Sequence, residues 1–458
     1  MAIAAQHPQT IDLRLDRLNR TILRLAIPSV TESMLTTLVY MVDTILISWL
    51  NDPSSLAAVG LSSTLMWAAD GLFRAISISV SAMVARYWGQ KDFEAARQVA
   101  GQSLILSMLV ALVFTALLIP IARGFLVVMG GEPDVVLRGV EYIRILLATS
   151  VISFPLVIAN SLMRATGDTR KPMYITGVMN VWNVLAAYVL IFGLGPIPRL
   201  ELRGAALATS SARTLGGIIA LGILFRPKSA IHLRWAHLRR WEWSLIWRIL
   251  RISLPNIGET IISRLGFMLF TRILASLGTI ALAAHQVALR IESLAYMPGW
   301  GMATAVAALV GQALGAEKED VAEQSIRRTL VMGNAVMAFL GMIFVFFGPA
   351  IVRVFGVRDP ELANMATTAI RISALELFGL CSVMILSGCL RGAGDTRTPM
   401  IVTIAGTFLF RVPITYLFAV VLNGGLKGVW LATAVDWSMR SLIMFVLYKR
   451  GKWKTIEV

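Results

Sequence analysis

"SLMRATGDTRKPM" (Ser161–Met173) returns as "GCLRGAGDTRTPM" (Gly388–Met400), with Arg164 and Arg391 standing 391 − 164 = 227 residues apart. That interval is close to half of the 458-residue chain. A repeat of this kind sets an architecture before any local feature does. Within each copy, Gly167 or Gly394 suits the left-handed residue that closes a helix. Asp168 with Thr169, and Asp395 with Thr396, suit the cap of the helix that follows. Pro172 and Pro399 fit an early helical position that needs no donor. Read alone, the phrase is a tight turn between two helices, without chemistry.

Composition says what kind of helices these are. Hydrophobic residues make up 57% of the chain, charged residues 15%, and the mean hydropathy is +0.73. A soluble domain carries about 25% charged residues. The apolar residues gather into runs such as "LILSMLVALVFTALLIPIA" from Leu104 and "TLVMGNAVMAFLGMIFVFFGPAIV" from Thr329. About 20 such residues cross the hydrocarbon core as a helix. Twelve spans are expected, at 22–50, 55–86, 98–122, 137–162, 173–194, 204–225, 249–276, 282–310, 329–351, 364–389, 401–421 and 428–447. The chain is thus an all-α polytopic membrane protein. Asp12, Arg14, Asp16, Arg17 and Arg20 make its charged start no cleavable signal peptide.

The two halves match well beyond the opening phrase. "IPSVTESML" from Ile27 aligns with "LPNIGETII" from Leu254, setting Pro28 and Glu32 against Pro255 and Glu259. "LAAVG" from Leu56 aligns with "LAAHQ" from Leu282, and "RGAALAT" from Arg203 with "KGVWLAT" from Lys427. The expected domains are an amino-terminal six-helix lobe (1–225), a linker (226–248) and a carboxy-terminal six-helix lobe (249–458). Six spans per half insert both halves the same way up, which implies a pseudo-two-fold axis along the membrane normal. Pro28 and Pro255 loosen the ladder of the first helix of each half.

The net charge of +16 follows from topology rather than from nucleic-acid binding. Basic residues crowd one set of loops (Arg86, Lys91, Arg97, Arg164, Arg170, Lys171, Lys318, Arg327, Arg328, Arg391, Arg397) and both ends of the chain. The opposite loops hold few: Arg123, Arg138, Arg199, Arg203, Arg353, Arg358 and Lys427. The asymmetry puts both termini in the cytoplasm. The linker is basic and carries Trp235, Trp241 and Trp243, which suits a segment lying on the membrane surface and equally an ordinary cytoplasmic loop.

Catalytic signatures are missing. No phosphate loop precedes Lys228 or Lys454, and no G-x-S-x-G or H-E-x-x-H occurs. The histidines His7, His232, His237 and His285 form no metal-ligand spacing, and Cys381 and Cys389 sit too far apart on one helix to pair. What remains is ionisable groups inside apolar spans, where each is a functional candidate by default. Asp43, in "TLVYMVDTILISWL", has Phe270 as its partner position in the second half, so the acid belongs to the first half alone. Burial in oil disfavours a bare carboxylate, which makes Asp43 a proton or cation site, or else a group bonded to a neighbouring helix for packing. Asn180 and Asn183 lie one turn apart and suit either Asp43 or helix–helix adhesion. In the second half, Glu259, Glu292 and Glu376 are the candidate acids, Gln286 lies in the same apolar stretch, and Asp436 with Arg440 suits a pair. Glu32 and Glu259 stand at equivalent positions, suggesting a shared structural or functional role.

Taken together, "RATGDTRKPM", "RGAGDTRTPM", "VDTILIS", "AAHQVALRIESLAYMPGWGMATAVAALVGQALGA" from Ala283 and "GVWLA" resemble the multidrug and toxic compound extrusion (MATE) family, and its prokaryotic DinF-like members more than NorM-type ones. The resemblance implies a V-shaped pair of six-helix lobes that export amphipathic, often cationic, compounds in exchange for protons or sodium ions. It places the family's first-span aspartate on Asp43, its fifth-span asparagines on Asn180 and Asn183, and its sixth-span threonine on Thr209. Ala187 stands where the family usually has a second aspartate, and Leu380 near its tenth-span aspartate, with Glu376 one turn earlier. A single carboxylate favours H+ over Na+ as coupling ion. The expectation is therefore a secondary antiporter, not an enzyme, without cofactor or metal. It works as a monomer on small organic substrates in the inner membrane of a prokaryote. The alternatives are a flippase for lipid-linked precursors, with Arg74, Arg264 and Arg272 facing a cationic cleft, and a membrane-embedded enzyme or scaffold.

Overall fold

The computed structural model describes residues 11–239 and 241–456; His7 lies outside them. Long helices dominate: α1 (Leu18–Ser48), α2 (Pro53–Gly89), α3 (Phe93–Val128), a bent α4 (Pro133–Ala148 and Ser150–Ala165), α5 (Arg170–Phe192) and α6 (Glu201–Phe225). They continue with α7 (Trp243–Ala275), α8 (Thr279–Gly315), α9 (Glu319–Val354), α10 (Pro360–Gly392), α11 (Arg397–Val421) and α12 (Gly425–Lys449). Ten single helices and the bent pair are long and apolar enough to span a membrane. The remaining long helix, α7, carries Arg248, Arg251, Glu259, Arg264 and Arg272. Most helices overrun the apolar runs that mark them: the 37 residues of α2 reach about 55 Å, against a hydrocarbon core of about 30 Å. Their charged ends continue the hydrogen-bond ladder outside the oil.

Two spans depart from a straight helix. The expected span 137–162 is broken, its two parts bent by 52°. Pro155 starts the second long piece and has no donor for the turn before it. Hydroxyl groups gather at the break, with Thr115 and Ser150 2.6 Å apart and Thr149 and Ser210 2.7 Å apart. Such groups satisfy backbone and side chains where a helix is interrupted at membrane depth. In α11, the segments Gly406–Arg411 and Leu417–Val421 widen into π-helix on either side of Val412–Tyr416, which holds Pro413.

The chain forms two compact units, one of Met1–Ile11 and Thr31–Arg251, the other of Asp12–Val30 and Ile252–Val458. In the first, Phe73 stacks on Phe154 at 4.2 Å, and Leu46, Ile47, Ala58, Ala187 and Ala208 form a core between α1, α2, α5 and α6. The linker packs onto α3 of this unit: Arg97 donates to the Ile231 carbonyl (2.9 Å), Gln102 to the His237 carbonyl (3.3 Å), and His237 lies 3.0 Å from Glu94. Trp235 and Trp243 stay exposed. In the second unit, Gly388 and Gly392 of α10 face the carbonyl oxygens of Ala303 and Ala307 on α8 so closely that a side chain has no room. Large apolar side chains such as Leu117, Ile121, Phe346 and Phe347 point outward, as suits a surface solvated by lipid.

Candidate functional site

The repeated phrase folds as the expected turn, with the aspartates but not Thr169 or Thr396 bonding to the start of the following helix. Gly167 and Gly394 adopt φ of 92° and 96°, and the amides of Asp168 and Asp395 return to the carbonyls of Met163 and Leu390. The Asp168 and Asp395 carboxylates accept from the amides of Lys171 (3.2 Å) and Thr398 (2.9 Å). The phrase also does more than turn the chain. Arg164 donates to Glu32 on α1 at 2.8 Å, and Arg391 donates to both oxygens of Glu259 on α7 at 2.8 and 2.7 Å. Thr403 adds a 3.0 Å bond to Glu259. The sequence separation is 132 in both pairs, a signal present in the aligned halves.

Asp43 is half-buried on α1 within the first unit. The Thr209 hydroxyl donates to its Oδ2 at 3.1 Å, and the Asn183 amide donates to Thr209 Oγ1 at 3.4 Å. Asn183 also reaches the Asp43 carboxylate. Asn180 instead donates to the Leu35 carbonyl at 2.7 Å, so of the two asparagines one serves the acid and one ties α5 to α1. Ala187 is buried in the apolar core below them. Sequence reasoning passed over two further charges. Arg213, one turn beyond Thr209 on α6, donates to both oxygens of Asp70 on α2 at 3.3 Å.

The second unit builds its polar interior from other positions. Glu292 on α8 and Glu376 on α10 are both buried and within hydrogen-bond reach of each other. Tyr296, one turn from Glu292, donates to it at 3.0 Å, and Thr433 on α12 lies beside Glu376. Thr433 is the counterpart of Thr209 in the "LAT" pair, but its hydroxyl donates to the Trp430 carbonyl at 2.8 Å, so the duplicated hydroxyl lies beside an acid in each half and donates to it only in the first. Asp436, fully buried, accepts from Arg411 and Arg440, each at 2.7 Å. Arg411 closes the first π-helical stretch and lies over Phe270 at 5.9 Å and Trp437 at 5.1 Å. Phe270 itself packs on His285, and His285 on Trp430. Gln286 is exposed, as are Arg74, Arg264 and Arg272. Cys381 and Cys389 are free and buried, and no cluster able to hold a metal occurs among the described residues.

A duplicated bundle of long apolar helices, with acids held on hydroxyl and amide groups inside it, has the makings of a membrane transporter. The MatE family model matches residues 28–189 and 255–417, one match per half, and the chain belongs to that family of multi-pass membrane transporters, which are not enzymes. Among curated proteins it is 28% identical over 441 residues to the "Probable multidrug resistance protein NorM" of Thermotoga maritima, covering 95% of this chain and 93% of that one. It is 24% identical to the "Uncharacterized transporter YisQ" of Bacillus subtilis, covering 90% of each. It shares the fold of a solved structure described as the outward-facing conformation of a multidrug resistance MATE family transporter of the MOP superfamily. That likeness has a TM-score of 0.89 at 24% identity and covers 98% of both chains. The family's two six-helix halves agree with the twelve helices found here.

Proposed function

We propose that this transporter exports amphipathic organic compounds, often cationic, from the cytoplasm of a prokaryotic cell across its inner membrane in exchange for protons. Asp43 is the group that exchanges the ion. The supporting observation is its setting: a carboxylate on α1 held by Thr209 and Asn183 at membrane depth, with no second acid beside it on α5. Proton uptake there exchanges a charged acceptor for a neutral group and changes what α1 bonds to on α5 and α6. Coupling follows when cargo and proton bind the two arrangements of the protein with different affinities. Protonation of Asp43 shifts or bends α1 near Pro28 and lowers the affinity for cargo. The name of the Thermotoga maritima relative supports a drug-like cargo. The loop arginines support cytoplasmic termini. Glu292 and Glu376 serve as a second acidic site of the same cycle, and the protein acts as a monomer.

The test is transport of a fluorescent organic cation by the reconstituted protein, with a pH gradient or a sodium gradient imposed separately. Asp43→Asn abolishes pH-driven transport. Unchanged pH-driven transport in that variant would remove Asp43 from the mechanism.

A further inference from the structure

The linker turns its aliphatic side chains inward and its aromatic ones outward. Ile231, Leu233 and Ile246 are buried, and the His237 carbonyl approaches Gly101 of α3 so closely that no side chain fits between them. Trp235, Trp241, Trp243 and Trp247 are instead 47–70% exposed. They are held in place all the same: Trp235 stacks on Phe225 at the end of α6 (5.0 Å), and Trp241 on Trp243 (6.3 Å). The opening turns of α7 repeat the division. Ile246 and Ile249 are buried, whereas Trp243, Trp247 and Arg251, four residues apart in turn, make one exposed stripe. Water is a poor place for four indoles. Their apolar body and single N–H suit a boundary with one dry side and one wet side.

We infer that residues 226–251 form a binding surface for anionic phospholipid headgroups, with the indoles seated at the edge of the acyl layer and the cations on phosphate. The inference depends on neither the cargo nor the exchanged ion. The segment holds seven Lys and Arg residues against Glu242 alone, 7 − 1 = +6. Arg226, Lys228, Arg234, Arg239 and Arg251 are exposed, and none of them pairs with a carboxylate among the described residues. Glu94, the acid that the linker reaches on α3, is already bonded to His237 and Arg97. Six of the seven cations are arginines, whose planar fork matches two phosphate oxygens at once. The level of the patch also fits. Arg248 donates to the Tyr87 hydroxyl near the end of α2 at 3.1 Å, and Trp235 leans on the last residue of α6. The rings and cations therefore gather where two helices of membrane length come to an end. A zwitterionic lipid offers a phosphate too, but its own ammonium cancels the charge, so a surface of net +6 favours a lipid of net negative charge. Because the linker is docked on α3, this surface stands preformed.

A fluorescent reporter on the linker of the full-length protein tests this. Ala236 is exposed and both native cysteines are buried, so Ala236→Cys offers one reactive thiol for a bimane label. The labelled protein is reconstituted in phosphatidylcholine vesicles. These carry a trace of either phosphatidylglycerol or phosphatidylcholine with a nitroxide at the top of one acyl chain. Nitroxide phosphatidylglycerol quenches the bimane at least about fivefold more strongly than nitroxide phosphatidylcholine, the enrichment expected from one basic residue at an anionic headgroup. Adding Arg234→Gln, Arg239→Gln and Arg251→Gln together brings the ratio close to one. Sodium chloride at about 1 M does the same without them, since it shortens the Debye length to about 3 Å. Trp243→Ser with Trp247→Ser weakens quenching by both lipids alike. Equal quenching by the two lipids before any arginine is changed overturns the inference. Quenching by neither overturns it as well, and leaves the surface to water or to a soluble partner. A folded triple variant that keeps the preference overturns it too; should that variant fail to fold, a preference that high salt leaves untouched does so.

Discussion

Arg164 donates to Glu32 at 2.8 Å, and the bond is made again between Arg391 and Glu259 at 2.8 and 2.7 Å, with the same sequence separation of 132. The duplication has therefore carried over an interaction as well as a set of helices. In both places an arginine at the end of one helix holds the first helix of its own half, four residues beyond a proline (Pro28 or Pro255). The four side chains are 14–17% exposed, so the pairs are only partly screened by solvent.

Glu259→Gln leaves Arg391 short of its charge partner and lowers stability by about 2 kcal/mol, below the roughly 3–5 kcal/mol of a fully buried broken pair. Glu32→Gln does the same by a smaller amount, since Glu32 makes a single bond to Arg164 where Glu259 makes two to Arg391. Thermal unfolding of the purified protein in detergent gives both values, and the ranking is the sharper check. Equal loss in the two variants would mean that the second contact of Arg391 contributes nothing.

Thr209→Val removes the hydroxyl on Asp43 while keeping the shape of the side chain. It lowers pH-driven transport about tenfold, the equivalent of one lost hydrogen bond to a charged group. Thr209→Ser restores most of the activity, because the donor returns. Vesicle transport rates for the three forms settle the point, and a valine variant as active as wild type would show that the 3.1 Å contact carries no coupling.

Much of this was readable in the residues. The helices announced themselves because oil tolerates no exposed backbone, so each crossing must be a continuous apolar run. Asp43 stood out for the converse reason, as a charge where charges are costly. Arg213 and Asp70 did not, because they are 143 residues apart on helices whose relative rotation no hydropathy pattern encodes. The break in α4 and the π-helical stretches of α11 escaped for a different reason: a hydropathy pattern records which residues are apolar and is blind to a change of helical pitch. The Glu–Arg pairs fall between these cases, visible in the equal offsets once the halves are aligned.

Asp436→Asn is the most damaging single change expected in the second unit. The carboxylate is fully buried and accepts from two arginines, and its removal leaves both guanidinium groups without their shared charge partner. The loss is about 3–5 kcal/mol. Asp436→Asn combined with Arg440→Met leaves one cation instead of two and recovers part of that loss. Unfolding midpoints of the single and double variants measure the recovery, and a double variant no better than the single would refute the shared-acid account.

Gly392→Ala tests the close approach of α10 to α8. A methyl group there meets the Ala307 carbonyl, which belongs to a helix backbone and cannot rotate aside. Overpacking of this kind costs about 1–3 kcal/mol. Gly60→Ala on α2, which meets nothing, serves as the control and raises helix propensity instead. Destabilisation confined to Gly392→Ala supports small-residue packing as the contact between those helices.

Asp52 caps α2 outside the apolar core: its carboxylate accepts from the Ser54 amide at 3.2 Å and the Ser55 hydroxyl at 2.6 Å, and pairs with Arg138 at 2.6 Å. The Ser55 hydroxyl first, then Arg138 and the backbone amides, hold its pKa below the ordinary carboxylate value. A group whose folded pKa is depressed lends stability above its unfolded pKa and loses it as pH falls through the folded value. Asp52→Asn, a side chain that still caps but carries no charge, is therefore less stable than wild type at pH 7. The gap closes as the pH drops below about 4. Unfolding midpoints of both proteins from pH 7 to pH 3 give the curve, and a gap that stays constant over that range would place the effect in capping geometry rather than in charge.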